Sequence, residues 1–415
     1  MANSKKSPST SKKKSVTTKS NSYYTKKAVK ETVKAAKANP KGFFIVLLII
    51  ILVVGLGAAF YFLYLKDALN KQDSTPSTDP ENPPTEPVEV SDSISINFLM
   101  PKNKGNGDAI YIKAGETDIL IDAGCIQSSA GVIKEFVDTK CTDGKLEYVI
   151  ASHADEDHIA GFIGTTKYPG IFDAYKIGTF ISFAKTNKEG KAKYTQYVNK
   201  RDAAIERGDI DHFYTAYECV TEANGAQKEY QITDSIKMTI LNQRYYNENS
   251  GDENNYSVCA LFTHGSNHYL FTGDLEKEGE ESLVSAEMNN NLPKCQLFKA
   301  GHHGSKTSSN DCLLSIIQPE VVCISCTSGY NEYGAAEENI FPTQAAINRI
   351  GKYTDKVYVT QQTSTNSDGY EAMNGNIEFR CDNGIDYTVT GSNNNTILKE
   401  TDWFLANRTW PENNV

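Results

Sequence analysis

Residues 153–158 read His-Ala-Asp-Glu-Asp-His, and within them His153, Asp155, Asp157 and His158 form the stretch best suited to chemistry. Four ionisable side chains this close are costly to withdraw from water unless something cationic binds them. The run follows an apolar segment, Tyr148 to Ser152, that reads as a short buried strand, and it precedes Ile159-Ala160-Gly161, a loop entering a helix. In an extended loop positions 153, 155 and 157 share one side, and His158 turns back from the helix start. Imidazole and carboxylate donors together suit Zn²⁺ or a harder ion such as Mn²⁺. The alternative reading is a solvated polar loop.

Two further pieces have the same character. Thr272-Gly273-Asp274-Leu275-Glu276 ends a predicted strand with a Gly-Asp step that exposes one carboxylate, and His302-His303-Gly304-Ser305 follows a predicted strand over 296–300. All of these lie at strand ends, where open α/β sheets gather their ligands. Two metal ions sharing a carboxylate and a water would lower the water pKa and clamp both oxygens of an in-line displacement. His264 and His268 flank a hairpin turn and are expected at the surface, away from any metal.

The elements that must position these groups alternate in type. Ala109 to Lys113 and Asp118 to Ile121 read as a hairpin around Gly115, Ser129 to Lys140 as a helix, and Lys191 to Arg207 as a charged helix. Ile236 to Leu241, Ser257 to Thr263, His268 to Phe271 and Glu320 to Ser325 read as strands, with helices between and after them. The pattern is that of a layered α/β domain. All nine Cys lie beyond residue 66, and most sit inside apolar runs, as buried free thiols do. Cys323 and Cys326 fall in a β-type run, where residues three apart face opposite ways, so they are not expected to form a metal or redox pair.

The chain resembles the metallo-β-lactamase fold and, within that superfamily, the hydrolase domain of ComEC-type competence proteins, the DNA-uptake channels. The resemblance rests on Gly105-Asn106-Gly107-Asp108-Ala109-Ile110, Leu120-Ile121-Asp122-Ala123-Gly124, the Ser-His-x-Asp-x-Asp-His-x-x-Gly stretch, Thr-Gly-Asp-Leu-Glu, His-His-Gly-Ser-Lys-Thr-Ser, and Pro319-Glu320 leading to Ser325. It implies a four-layer αββα sandwich with a dinuclear centre of two divalent ions, Zn or Mn, at one edge. Carried over position by position, His153 and Asp155 fall on the first metal, Asp157 and His158 on the second, Asp274 on the bridging carboxylate and His302 on the final histidine ligand. His303 beside it is a substitute ligand or a substrate contact. The same resemblance puts the reaction itself at Asp157, Asp274 and His303. Asn255 stands where the wider superfamily has a histidine, which leaves the first metal under-ligated. Asp122 becomes a structural carboxylate behind the ligands, and Ser305 and Asn331 lie on the substrate side. The chain departs from the family pattern at the inserted Met100-Pro101-Lys102-Asn103-Lys104 and at Ala335-Ala336, where a substrate-side histidine is expected. Thr165 to Ser250 reads as a long insertion that forms part of the substrate wall.

Composition divides the rest of the chain. Residues 1–42 hold twelve Lys and one Glu, so this tail carries +11 while the remaining residues carry −21 of the total −10. Residues 43–65 are 23 uncharged, apolar residues flanked by Lys41 and Lys66, long enough as a helix to cross a bilayer. The lysines on one side predict a single-pass membrane protein with residues 1–42 in the cytoplasm, resting on anionic lipid, and the remainder outside the cell. Residues 66–92, with five prolines, read as an extended linker. A hydrolase domain over 93–390 and a C-terminal extension over 391–415 complete the organisation. The expected function is a membrane-tethered, metal-dependent hydrolase of phosphodiesters, DNA or smaller, using a metal-bridged hydroxide. Acyl or amide hydrolysis of the lactonase or lactamase kind, or a non-catalytic binding module with a decayed site, are the competing readings. For DNA the candidate track is Lys185, Lys188, Lys191, Lys193, Lys200 and Arg201, with Tyr194 and Tyr197 placed for stacking.

Overall fold

The computed structural model describes residues 92–412, apart from 104, 332, 335 and 365–368. The tail, the apolar run 43–65 and most of the linker lie outside the described residues; among those described, no helix is long and apolar enough to cross a membrane.

The chain first lays down β1 (Ile94–Phe98), β2 (Ile110–Ala114) and β3 (Thr117–Ile121), then helix α1 (Ser129–Val137) and β4 (Lys145–Ala151). Helices α2 (Glu156–Ile163) and α3 (Ile171–Ala174) lead to β5 (Lys176–Ser182), and α4 (Ala192–Glu206) leads to β6 (Ile210–Thr215). After α5 (Ala216–Thr221) come β7 (Glu229–Gln231), β8 (Ile236–Leu241), β9 (Cys259–His264) and β10 (Asn267–Phe271). Then α6 (Lys277–Leu283), β11 (Leu297–Lys299), α7 (Asp311–Ile317), β12 (Val321–Ser328), α8 (Gln344–Ile350), β13 (Val357–Thr363) and β14 (Tyr370–Ala372) follow. The chain returns through β15 (Ile377–Cys381) and β16 (Tyr387–Gly391) and ends in α9 (Asp402–Asn407). Two eight-stranded mixed sheets result, ordered β16-β15-β1-β2-β3-β4-β5-β6 and β14-β13-β12-β11-β10-β9-β8-β7. In each, crossovers carrying helices make the parallel part, β3 to β6 in one and β10 to β13 in the other, and the rest is antiparallel, including the pairing of β1 with β15 from the far end of the described chain.

The sheets face each other through Phe98 against Phe271 and Tyr269 against Phe379, with ring centroids 6.4 and 5.2 Å apart. A second core lies under α6, α7 and α8, where Leu283, Leu314 and Ile347 cover Phe298, Val322 and Ile324. Strand β12 is buried along its whole length, and its alternation divides it: Cys323 enters the first core and Cys326 the second. All nine cysteines are free thiols. This α/β sandwich of two mixed sheets matches the architecture that the sequence resemblance implies.

Residues 165–250, expected as an insertion, supply β5 to β8, which complete one edge of both sheets. In the segment after 390, expected as a C-terminal extension, Leu398 and Phe404 are buried in the second core. One expectation needs correction. His264 is not a surface residue; it is fully buried, since the turn around Gly384 closes over the hairpin tip and accepts from Ser266. His268 is partly exposed.

Candidate metal centre

Four strand ends meet at one edge of the sandwich. Asp122 follows β3, Ser152 and His153 follow β4, Gly273 and Asp274 follow β10, and His302 and His303 follow β11. The backbone there is held in an uncommon region: Asp122, His302 and His303 are left-handed, with φ of +60°, +47° and +54°. For non-glycine residues this conformation costs about 1–3 kcal/mol each and persists where surrounding structure imposes it. Gly273 is also left-handed, at φ +54°, and a Cβ there would come within 2.8 Å of Ser257 Oγ. That hydroxyl accepts from the Asp274 N–H at 3.1 Å, so the glycine lets the turn approach the group that fixes Asp274.

Asp108, His158, Asp274 and His303 are all buried, with donor atoms within 4.8 Å of one another. Asp274 Oδ2 lies 3.1 Å from both His158 Nε2 and His303 Nε2. Asp157 Oδ2 is 3.1 Å from His303 Nε2 and 3.9 Å from His158 Nε2. Each imidazole is oriented through its other nitrogen. His158 Nδ1 donates to Asp122 Oδ2 at 2.8 Å, and His303 Nδ1 donates to the Ser325 carbonyl at 2.8 Å. His153 Nδ1 lies 3.1 Å from Ser152 Oγ and 3.4 Å from Ser257 Oγ. Asp122 is itself held by the Ser152 N–H and hydroxyl, both at 2.7 Å. Three Nε2 atoms are thereby turned inward, the arrangement that outer hydrogen bonds impose on metal-binding histidines.

The electrostatics follow from this crowding. Burial, the largest single influence, pushes the His158 and His303 imidazoles toward neutrality, but the acidic neighbours together outweigh it, Asp274, Asp122 and Asp157 for His158 and Asp274, Asp108 and Asp157 for His303, and hold their pKa values well above the usual range. Burial likewise works to raise Asp157 and Asp274, and the neighbouring imidazoles, with Lys299 at Asp274, hold both below the ordinary carboxylate range. One buried ring atom, His153 Nε2, has no aligned hydrogen-bond partner, with Asp155 Oδ2 3.5 Å away. Buried polar atoms are seldom left so. With carboxylates and imidazoles converging there, this donor set fits a Zn²⁺ or Mn²⁺ ion.

The expected residues do not all reach the same place. His303, not His302, enters the cluster; the left-handed turn at both residues sends the second ring inward. His302 Nε2 is 4.0 Å from Asp274 Oδ2 and 3.0 Å from the Tyr333 hydroxyl, while its Nδ1 is 3.3 Å from Glu276 Oε1. Asp155 faces His153, with its Oδ2 3.5 Å from Nε2, and pairs with Lys188. Asn255 is turned away: its Oδ1 accepts from the Glu276 N–H at 3.3 Å, which anchors the loop after Asp274. Ser305 is buried in the histidine loop, its hydroxyl 3.0 Å from that of Thr307. Asn331 is exposed and bridged to Ile340, and its neighbour Tyr333 makes the contact with His302.

Sequence reasoning missed three participants. Asp108 enters through the Gly105–Asp108 turn, whose Gly-Asn-Gly-Asp spelling was its one signal, and its N–H donates to the Asp157 carbonyl at 3.2 Å. Lys299 is buried against Asp108 and Asp274. Glu253 braces the mouth, accepting from the Ala154 N–H at 3.2 Å and the Thr186 hydroxyl at 2.8 Å. The basic track contracts as well. Lys188 and Lys193 pair with Asp155 and Glu156 at the ligand loop, and Lys185 bonds Asn249. Lys200 turns to Asp173, Arg201 to Asp202, and Tyr197 is fully buried, so none of these three lines a groove for stacked bases.

Residues 103–171 match the model of the metallo-beta-lactamase superfamily. The chain is 26% identical over 257 residues to the competence protein ComA of Neisseria gonorrhoeae, covering 62% of this chain and 30% of the relative. It is 26% identical over 241 residues to ComE operon protein 3 of Bacillus subtilis, covering 58% and 25%. It is 32% identical over 105 residues to recombination protein 2 of Haemophilus influenzae, covering 25% and 12%. The chain thus spans less than a third of the length of each of these curated relatives.

Proposed function

We propose that this chain, a metallo-β-lactamase superfamily hydrolase resembling the ComEC-type competence proteins, is a membrane-tethered phosphodiesterase. The observation that carries the reading is the convergence of His158, His303, Asp157 and Asp274 around Asp274 Oδ2, with His153 Nε2 left without an aligned hydrogen-bond partner beside them. These five residues would hold divalent ions, which when bound lower the pKa of water and offset charge building on phosphoryl oxygens. Asp122, Ser152 and the Ser325 carbonyl keep the three rings aimed inward. We assign the proton for the leaving oxygen to His302, which stands at the mouth with the Glu276 carboxylate behind it at 3.3 Å. Lys185, Lys188 and Lys193 give an incoming anion its electrostatic track, against a chain that is otherwise acidic. The competence relatives make DNA the first substrate to try.

The tether is residues 43–65, with the Lys-rich tail on the cytoplasmic lipid face. Protease added to intact cells should then cut in the Pro-rich linker and leave the tail protected; protection of the hydrolase domain would reverse the orientation. The activity is tested on the full chain in mild detergent, with Mn²⁺ and with Zn²⁺, against single- and double-stranded DNA, bis(p-nitrophenyl) phosphate and an acyl ester. Phosphodiester cleavage with no ester cleavage is expected, and the reverse would overturn the reading.

A further inference from the structure

Lys299 has no route to water. It closes β11, the strand between β10 and β12, and its side chain is 1% exposed. Its ammonium donates to the Gly273 carbonyl at 2.8 Å and to Asp274 Oδ1 at 3.1 Å, and it pairs with Asp108 Oδ2. By taking Oδ1 it leaves Asp274 Oδ2 for the two imidazoles. It sits behind Asp274 and cannot touch a substrate, so a role as proton donor to the reaction is closed to it. An ammonium is among the costliest groups to bury, and it is kept only where charge and hydrogen bonds surround it. Burial here works to discharge the lysine, yet Asp108 and Asp274 hold its pKa above the ordinary value.

We propose that Lys299 is a resident counter-cation that keeps the acidic ligand set assembled when no metal ion is bound. Without it, Asp108 and Asp274 would face Asp157 and Asp122 across a dry space with too little positive charge among them. A bound divalent ion supplies the same charge from the Oδ2 side, so the lysine matters to stability chiefly in the metal-free protein. It is a positioning residue, and its assignment rests on the metal-centre reading above. Lys188 provides the contrast: it pairs with Asp155 at the mouth and is one-third exposed, so water can take its place.

The test is thermal unfolding of the full chain in detergent, after EDTA dialysis and after reloading with Mn²⁺ or Zn²⁺, with metal content measured by mass spectrometry. Wild type, Lys299→Met and Lys188→Met are compared by the gap between metal-loaded and metal-free Tm. The gap for Lys299→Met should exceed the wild-type gap by on the order of 5–10 °C, while Lys188→Met matches wild type. If metal-free Lys299→Met does not fold, the double variant Lys299→Met/Asp108→Asn, which removes one buried acid with the lysine, should fold and regain most of the wild-type gap. Equal gaps in wild type and Lys299→Met, with metal bound by both, would overturn the proposal. So would a Lys299→Met protein, or a double variant, that stays unfolded even when loaded. A wild type that takes up no metal would instead overturn the metal-centre reading beneath it.

Discussion

Asp122→Asn tests whether the ligands work through the orientation of their imidazoles. The Asp122 carboxylate accepts from the Ser152 N–H and hydroxyl at 2.7 Å each and from His158 Nδ1 at 2.8 Å, and it is almost completely buried. An asparagine keeps an oxygen for the Ser152 N–H. It replaces Oδ2 with an NH₂ group, a donor facing a ring N–H and a hydroxyl. The ring can satisfy that donor by moving its proton to Nε2, the atom needed for a metal, 3.1 Å from Asp274. Loss of such an orienting partner typically weakens metal binding about 10- to 100-fold, which is about 1.4–2.7 kcal/mol. Replacing two bonds to a buried charge should lower stability by about 1–3 kcal/mol. The assay is calorimetric titration of Mn²⁺ and Zn²⁺ into both proteins at one fixed pH, with hydrolysis of bis(p-nitrophenyl) phosphate measured beside it. Weakened binding with activity largely restored by excess metal is expected. A metal affinity within about twofold of wild type would refute the orientation argument.

Because His158 and His303 hold their protons above the usual histidine range, metal must displace those protons. Calorimetry in buffers of different ionisation heat should therefore show proton release on binding and an affinity that falls steeply as pH drops. Glu280 is buried, bonded by the Ser309 and Asn310 N–H groups, and pushed up to about 7 by that burial. Its folded pKa exceeds its unfolded one, so the stability it contributes is full below about pH 4.5 and is lost as pH rises through 7. That is a loss of about 3 kcal/mol, which urea unfolding of Glu280→Gln between pH 5 and 8 should largely abolish. Charge reversal at Lys185, Lys188 and Lys193 should reduce cleavage of DNA about tenfold or more and flatten its salt dependence while sparing the small ester; reversal at Lys200 and Arg201 should change neither.

The layered α/β class and the convergence of His153, Asp157 and His158 at a strand end were legible because both are local. A buried strand followed by His-x-Asp-x-Asp-His writes its geometry within ten residues, and the alternation of strands and helices shows the layers. What failed was long-range. Which of His302 and His303 turns inward depends on a left-handed backbone at both residues; the flanking Gly301 and Gly304 mark a turn there but do not say which ring it sends inward. His264 looked exposed because the turn that covers it comes 120 residues later, around Gly384. Tyr197 looked available for stacking because helix α4 is polar over most of its surface, but Tyr197 and Ala204, two turns apart, are its buried face. Lys299 did carry a signal, a charge closing the buried strand Leu297–Lys299, yet its partners Asp108 and Asp274 come from separate loops.

The central claim is that Asp274 is the carboxylate on which a metal-dependent phosphodiester hydrolysis turns. The direct measurement is metal content and bis(p-nitrophenyl) phosphate hydrolysis of the full chain and of Asp274→Ala, side by side, with circular dichroism to verify the fold. Wild type is expected to bind Mn²⁺ or Zn²⁺ and hydrolyse the ester, EDTA to abolish the activity, and Asp274→Ala to stay folded but lose bound metal and at least about a thousandfold in rate. Full activity in the folded Asp274→Ala protein, or wild-type activity that survives EDTA, would contradict the claim.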